Sequence, residues 1–160
     1  MLARILHVLA VGLWFGAGVF FSYVVAPVLF ATLDATTFGI AVAPIFPPYF
    51  ALQGVCAVIA LATAFGWQKQ HPGARVHRWR VVVLLLATLA VLAGWPVVGK
   101  VSELRVARET SEAAAVAFAR WHLISLLLNM FAIGLAGIAL VLTVALPERN
   151  TQAVAEDRQA

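Results

Sequence analysis

The chain has 160 residues, of which 63% are hydrophobic and 11% are charged, and its mean hydropathy is +0.96. Soluble domains carry about 45–50% apolar and about 25% charged residues, so this composition excludes a soluble globular domain. The formal net charge of +4 arises from basic side chains in loops and tails, which suits anionic lipid headgroups and not nucleic acid. A single cysteine, Cys56, excludes an internal disulfide and a metal site built from several cysteines.

Four apolar runs fill most of the sequence, at about residues 5–30, 49–67, 81–98 and 122–146. Each run is long enough to cross about 30 Å of hydrocarbon at about 1.5 Å per residue. Lipid offers no hydrogen-bond partners, so such runs cross it as helices. The sequence therefore predicts an all-α fold, a polytopic four-helix transmembrane bundle over residues 1–147, with a polar cytoplasmic tail at 148–160.

The first run carries a histidine and several glycines. His7 lies near its start and shares a helical face with Trp14 and Gly18. Gly12 and Gly16 form a small-xxx-small pair on another face, and such pairs suit close contact between membrane helices.

The second run is preceded by a proline-rich connection and carries polar side chains. We expect its helix to start no earlier than Pro48, because prolines interrupt the preceding residues. Tyr49, Gln53 and Cys56 recur at i, i+4 and i+7, which places them on one helical face.

The loop at residues 68–80 contains basic residues and no acid, and it lies on the same side as both ends of the chain. The positive-inside rule therefore predicts that both termini are cytoplasmic, in a plasma (inner) membrane. His71 and His77 lie in this loop among arginines and a lysine, and we expect them to be solvated.

Residues 100–120 are predicted to be helical, so that the third and fourth helices extend beyond the membrane. Two i,i+4 charge pairs support the helix, Arg105 with Glu109 and Arg108 with Glu112. Either Thr110 or Ser111 is a suitable N-cap for the last helix.

The last run carries a polar stripe of its own, since His122, Ser125 and Asn129 recur at i, i+3 and i+7. This stripe and the stripe of Tyr49 both fall in the half of the membrane near the outer loops, which suggests a polar pocket. The candidate pocket residues are Tyr49, Gln53, Arg120, Ser125 and Asn129, with Asp34 and Trp121 at its rim. The alternative is a purely structural role, in which these side chains only bridge helices through hydrogen bonds.

Two cofactors are compatible with the polar residues. Cys56 and His122 have the ligand softness that suits copper. A haem needs a second histidine beside His7, and His122 lies at the opposite membrane surface, on the order of 25 Å away. His77 is the better partner for His7, because both lie near the inner surface. The expectation is nevertheless no cofactor, and the sequence shows no phosphate loop, zinc motif or nucleophile elbow.

Several strings together resemble the transmembrane protein 205 family, whose bacterial members are catalogued as a domain of unknown function. The strings are Leu6-His7-Val8-Leu9 with Trp14, then Phe46-Pro47-Pro48-Tyr49-Phe50, then Phe118-Ala119-Arg120-Trp121-His122 with Ser125 and Asn129. The resemblance covers about residues 5–146 and implies a four-helix membrane protein. It supplies no catalytic or ligand role for any of these positions. The connection at 100–120 is shorter than the eukaryotic pattern, and the first span faintly resembles copper-resistance and haem-associated membrane proteins.

Two hypotheses of function follow. The first is a non-enzymatic structural or accessory subunit that packs against other membrane subunits or its own copies, using glycines such as Gly12, Gly16, Gly134 and Gly137. The second is a protein that binds or moves a soft metal ion or haem through the outer polar pocket. Transporters usually build their binding sites between structural repeats, and this four-helix unit shows no internal repeat, so we favour the first hypothesis.

Overall fold

The computed structural model describes residues 2–70 and 72–144, and it is all-helical in that part of the chain. Its α-helices are α1 (Leu2–Phe20), α2 (Ala26–Thr32), α3 (Ala35–Val42), α4 (Phe46–Gln70), α5 (Arg75–Ala107) and α6 (Glu112–Val144). A π-helical segment at Phe21–Val25 joins α1 to α2, and a 3-10 turn at Ala43–Ile45 joins α3 to α4. The predicted tail at 148–160 lies outside the described residues.

Four helical segments are long and apolar enough to cross a membrane, namely Leu2–Thr32, Ala35–Gln70, Arg75–Ala107 and Glu112–Thr143. They coincide with the four predicted runs, which confirms the all-α membrane fold. Helices α5 and α6 have 33 residues each, so each is about 50 Å long. That length exceeds the hydrocarbon thickness of about 30 Å, and both helices therefore extend beyond it, as predicted.

The spans pack as a closed ring, in which α1 and α5 each contact both α4 and α6. Successive spans cross in opposite directions, so every contact in the ring is antiparallel. The centre is rich in small side chains, including the buried Ala57, Ala60, Ala87 and Ala136. Small residues let helix backbones approach closely, which membrane helices need because lipid supplies no hydrophobic drive for their association.

Two glycines set the closest approach between α1 and α6. A Cβ at Gly18 would lie 2.6 Å from Cγ1 of Ile133, and a Cβ at Gly137 would lie 2.9 Å from Cε2 of Phe15. The pair that stands out in the sequence, Gly12 and Gly16, is different, because a Cβ at either position would meet no atom of the described chain within 4 Å. The bundle therefore uses Gly18 and Gly137 internally.

Helices α4 and α5 begin earlier than predicted. Helix α4 starts at Phe46, so the expected start at Pro48 is wrong. Pro47 and Pro48 fit the first turn, where backbone N–H groups have no acceptor inside the helix. Helix α5 starts at Arg75, which leaves only a short connection and places His77 in its first turn. The expectation of a solvated His77 is therefore wrong, since this side chain is only 2% exposed.

The connection between α5 and α6 is a turn and not continuous helix, because α5 ends at Ala107. The expected charge pairs of Arg105 and Arg108 would cross this turn. Instead, Arg105 donates to the backbone carbonyl of Gly39, and the guanidinium of Arg108 lies 4.4 Å above the ring of Phe118.

Helix α6 begins at Glu112, directly after Ser111, which is one of the two N-caps predicted from the sequence. The hydroxyl of Ser111 accepts a hydrogen bond from the backbone N–H of Ala114 at 3.4 Å. This contact satisfies one of the free N–H groups at the helix start.

Candidate functional site

Polar side chains of three spans meet in the half of the bundle near the α2–α3 and α5–α6 connections. The phenol of Tyr49 donates to Oδ1 of Asn129 at 2.8 Å. The amide of Asn129 in turn donates to the hydroxyl of Ser22 at 2.9 Å. We call these three residues the Tyr49 network. It ties the first, second and fourth spans together with neutral groups only.

Ser22 lies in the π-helical segment Phe21–Val25, which ends two residues before Pro27. Proline has no N–H, so the helix cannot form the usual bond to the carbonyl of Tyr23. A π-helical turn is one way to absorb that defect inside a longer helix, and such turns frequently accompany functional positions. The sequence points to this position through Pro27 and through the polar Ser22 and Tyr23 of the first span.

The remaining residues of the second-span stripe lie deeper in the core. Gln53 is 1% exposed and Cys56 is 3% exposed. Nε2 of Gln53 finds no hydrogen-bond partner within the described residues. Ser125 lies one turn from Asn129 and is half-buried.

His122 and Arg120 do not join the Tyr49 network, and both are exposed. The ring of His122 stacks on Phe118, with 5.6 Å between ring centroids. The hydrogen bond between Tyr49 and Asn129 places these two residues at one depth. The second and fourth spans run in the same direction, and Cys56 lies two turns beyond Tyr49.

His122 lies two turns before Asn129, on the other side of that depth. Cys56 and His122 are therefore about 20 Å apart along the bundle, at about 1.5 Å per residue. One copper ion cannot bind both side chains in this arrangement. In the described residues, no three His, Cys, Asp or Glu side chains form a group that could hold a metal ion.

Asp34 acts as a helix cap and was expected at the rim of a pocket. Its carboxylate accepts hydrogen bonds from the backbone N–H groups of Thr36 at 3.0 Å and Thr37 at 3.1 Å. The side chain of Thr37, followed by these backbone groups, lowers the pKa of Asp34 below its usual value of 3.8. Trp121, the other rim residue, is partly exposed.

A second set of polar side chains lies at the other end of the bundle, where α1 and α5 begin and α4 ends. We call this end of the bundle the basic end. His7 is fully buried there. Its Nδ1 lies 2.7 Å from the hydroxyl of Thr63, and its Nε2 lies 3.2 Å from the hydroxyl of Thr143.

Each of the two threonine hydroxyls also lies 2.8 Å from a carbonyl of its own helix, Ile59 for Thr63 and Ala139 for Thr143. The hydroxyl of Thr63 also lies 2.9 Å from the carbonyl of Ala60, so five contacts share the hydrogens of one imidazole and two hydroxyls. A neutral imidazole carries one hydrogen, so the three side chains supply three hydrogens for five contacts.

Trp67 connects His7 to the third span. Its ring centroid is 4.7 Å from that of His7 and 6.3 Å from that of His77. The guanidinium carbon of Arg80 lies 4.9 Å from the Trp67 ring centroid. Arg80 is 3% exposed.

Arg80 also fixes its neighbours by hydrogen bonds. Its Nη1 lies 3.0 Å from Nδ1 of His77, and its Nη2 donates to the carbonyl of Leu142 at 2.9 Å. A guanidinium only donates, so Nδ1 of His77 is the acceptor. All four spans thus contribute to one cluster, the Trp67 cluster, which consists of His7, Thr63, Trp67, His77, Arg80 and Thr143.

The candidate haem pair, His7 and His77, is brought into this one cluster, but not as a pair of ligands. Both rings contact Trp67. Both nitrogens of His7 already contact threonine hydroxyls. A haem held by these two histidines would require the cluster to open.

A cleft of about 750 Å³ opens beside the cluster on the surface between α1 and α4. It is lined by Ala3, Arg4, Ala62, Thr63, Gly66, Trp67 and Gln70. Thr63 therefore faces both the cleft and His7. We call this feature the α1–α4 cleft.

The sequence analysis missed four members of the Trp67 cluster, namely Thr63, Trp67, Arg80 and Thr143. Two spacings could have indicated them. Thr63 and Trp67 are four residues apart, and His77 and Arg80 are three apart, so each pair shares a helical face. No pattern in the sequence shows that these faces point toward one another.

Comparison with protein families gives a match over most of the chain. A family model described as "Domain of unknown function (DUF4149)" matches residues 9–110. This covers more than half of the chain and includes Tyr49, Trp67 and Arg80. The family is uncharacterised, and the match does not carry the transmembrane protein 205 name. No curated protein and no solved structure matches the chain.

Proposed function

Since the chain belongs to DUF4149, a family of unknown function, we propose its role from its own residues: a non-enzymatic structural or accessory subunit of a membrane assembly. This is also the role that we infer for a protein resembling the transmembrane protein 205 family. The assembly partners are further copies of the chain or other membrane subunits.

The observation that carries the proposal is how the polar side chains within the spans are used. Both nitrogens of His7 contact threonine hydroxyls of other helices. Tyr49, Asn129 and Ser22 bond to one another in a chain. Polar groups in lipid mark ligand sites unless they serve as contacts between helices. Here they join the helices, which favours a packing role.

The outer surface supplies a contact for a partner helix. Gly12 and Gly16 have free space around their missing Cβ atoms. The exposed Leu9 and Leu13 flank them on the same helix. A small-xxx-small pair between large apolar side chains lets a second helix approach closely.

The basic end supports an orientation. Residues 60–80 contain no acid, and Lys69, Arg75 and Arg78 are exposed there. With the positive-inside rule, this charge distribution supports our proposal that the basic end and both termini face the cytoplasm and that the bundle lies in a plasma (inner) membrane.

Cysteine cross-linking in membranes tests the assembly. With an added oxidant such as copper phenanthroline, Gly16→Cys in a Cys56→Ala background should form a disulfide with the same position of a second copy. Gly54→Cys is the matched control, because Gly54 also has free space around its Cβ position but lies on α4. We expect a cross-linked band for Gly16→Cys and none for Gly54→Cys. Monomer alone for both variants would contradict the proposal.

The alternative of a haem or copper protein makes a different prediction for the purified material. A visible spectrum and elemental analysis in mild detergent would then show a Soret band or stoichiometric copper. Loss of the signal in His7→Ala, or in Cys56→Ala or His122→Ala, would identify the ligand. Such a result would replace the packing role with a site-bearing one.

A further inference from the structure

We propose that the α1–α4 cleft binds one anionic phospholipid from the leaflet at the basic end. The site does not depend on how the bundle assembles with partners, so it goes beyond the role proposed above. Four observations carry it: the position of the cleft, the shape of its walls, the charge at its mouth and the fixed position of Trp67.

The cleft faces the lipid and runs along the bundle. Ala3 and Ala62 in its lining are exposed side chains of neighbouring spans. The contact between His7 and Thr63 sets the register of α1 against α4. With about 1.5 Å per residue, the lining from Thr63 to Gln70 extends about 10 Å toward the membrane surface.

The walls of the cleft are made of small residues. Ala3, Ala62 and Gly66 leave a groove where larger side chains would fill the surface. A Cβ at Gly66 would meet no described atom within 4 Å. A groove of this kind on a lipid-facing surface accommodates an acyl chain along Ala62 and Gly66.

The mouth of the cleft is cationic. Arg4 and Gln70 line it near the membrane surface, and both are exposed. Residues 1–33 and 35–102 contain no Asp or Glu. A guanidinium bonds phosphate strongly, and basic groups near the surface attract anionic headgroups. A zwitterionic headgroup would bring its own ammonium group toward Arg4, which favours the anionic lipid.

The cleft also reaches the Trp67 cluster. Trp67 lines it while contacting His7 and Arg80 on the inside of the bundle. The indole is therefore held in place, and the hydroxyl of Thr63 lies beside it at the deep end. A lipid in the cleft would contact Trp67 directly, which makes this residue a natural reporter.

The experiment uses the full chain in vesicles that contain lipids with brominated acyl chains, which quench tryptophan on contact. The fluorescence of Trp67 is the difference between the protein and its Trp67→Phe variant. Brominated phosphatidylglycerol is compared with brominated phosphatidylcholine at equal mole fraction. We expect about fivefold preference for phosphatidylglycerol, the size expected for one basic side chain near the surface.

Two pairs of variants separate the cleft from the rest of the surface. Gly66→Leu should fill the groove and remove the quenching of Trp67, whereas Gly54→Leu, at another α4 glycine with free space, should leave it unchanged. Arg4→Gln should abolish the preference for phosphatidylglycerol without removing quenching. Arg78→Gln, an exposed arginine outside the cleft lining, should keep it.

The proposal is overturned if the two lipids quench Trp67 equally in the unaltered protein. It is also overturned if Gly66→Leu and Gly54→Leu give the same quenching, or if Arg78→Gln removes the preference as fully as Arg4→Gln. Circular dichroism of each variant is the control for helix content, so that a loss of quenching at unchanged helix content reports on the cleft.

Discussion

The Trp67 cluster and the Tyr49 network join helices by different means. The Trp67 cluster contains a buried guanidinium and draws on all four spans. The Tyr49 network contains only a phenol, an amide and a hydroxyl, and it draws on three spans. Hydrogen bonds of charged groups contribute more to stability than neutral ones, and charged groups cost more when a partner is removed. The basic end should therefore hold more of the stability of the bundle.

The difference also bears on where a ligand could act. The Trp67 cluster is connected to the α1–α4 cleft through Thr63 and Trp67. A molecule in that cleft would contact residues that hold the four spans together. No residue of the Tyr49 network lines that cleft. Four substitutions or titrations test this contrast.

The largest effect is expected for Arg80→Met. It removes the hydrogen bonds to His77 and Leu142 and the contact with the Trp67 ring. We expect the free energy of unfolding to fall on the order of 3 kcal/mol. Titration with sodium dodecyl sulfate, followed by circular dichroism, measures it. Arg78→Met is the matched control on the same helix, and an equal loss for both would refute the importance of the buried position.

His7→Leu should have a smaller effect within the same cluster. The threonine hydroxyls can still donate to the carbonyls of Ile59 and Ala139, so no hydroxyl hydrogen is stranded. Bonds between membrane helices average about 0.6 kcal/mol, so the loss of two should cost about 1–2 kcal/mol. The same denaturant titration applies. A cost above that of Arg80→Met would reverse the ranking within the cluster.

Tyr49→Phe tests the neutral network. The change removes only the bond to Asn129, whose amide keeps its bond to Ser22. We expect a loss of about 0.6 kcal/mol in the free energy of unfolding. Tyr23→Phe is the control, because Tyr23 is exposed and its hydroxyl makes only a 3.5 Å contact to sulfur. If Tyr49→Phe lowered the free energy of unfolding more than His7→Leu, the Tyr49 network would contribute more to stability than the basic end, which would contradict the proposed order.

The smallest effect belongs to the exposed cap at Asp34. Its pKa is lowered by the hydrogen bonds from Thr37 and Thr36. The cap is therefore fully present above the ordinary carboxyl pKa of 3.8 and is lost as the pH falls through the lowered value. The amide proton shifts of Thr36 and Thr37 should titrate with a midpoint below 3.8. A midpoint at or above that value, or the same curve in Asp34→Asn, would contradict the cap.

The sequence predicts the spans well, because continuous apolar length is a local property. It also predicts that Tyr49 and Asn129 face the same half of the bundle, since each stripe is read along one helix. The predicted start of α4 is wrong because Pro47 and Pro48 are tolerated in the first turn of a helix. The predicted start of α5 is wrong because the basic residues at 75–80 belong to the helix.

The Trp67 cluster could not be predicted in the same way. His77 and Arg80 look like solvated loop residues in a stretch that contains other arginines. They are buried because α5 begins before them and turns that face toward α4 and α6. Such a contact depends on the packing of separate helices, and one sequence holds no record of which faces meet. The same limit explains why Cys56 and His122, both suitable ligands, lie far apart.

The Trp67 cluster also has a consequence for biosynthesis. Its members on α1, α4 and α5 leave the ribosome before Leu142 and Thr143 on α6, whose carbonyl and hydroxyl complete the cluster. Until the last span is inserted, Arg80 and His7 lack these partners. The nascent chain thus carries a cation that is fully accommodated only at the end of synthesis, and a protein truncated before Leu142 should be recognised and degraded by membrane quality control.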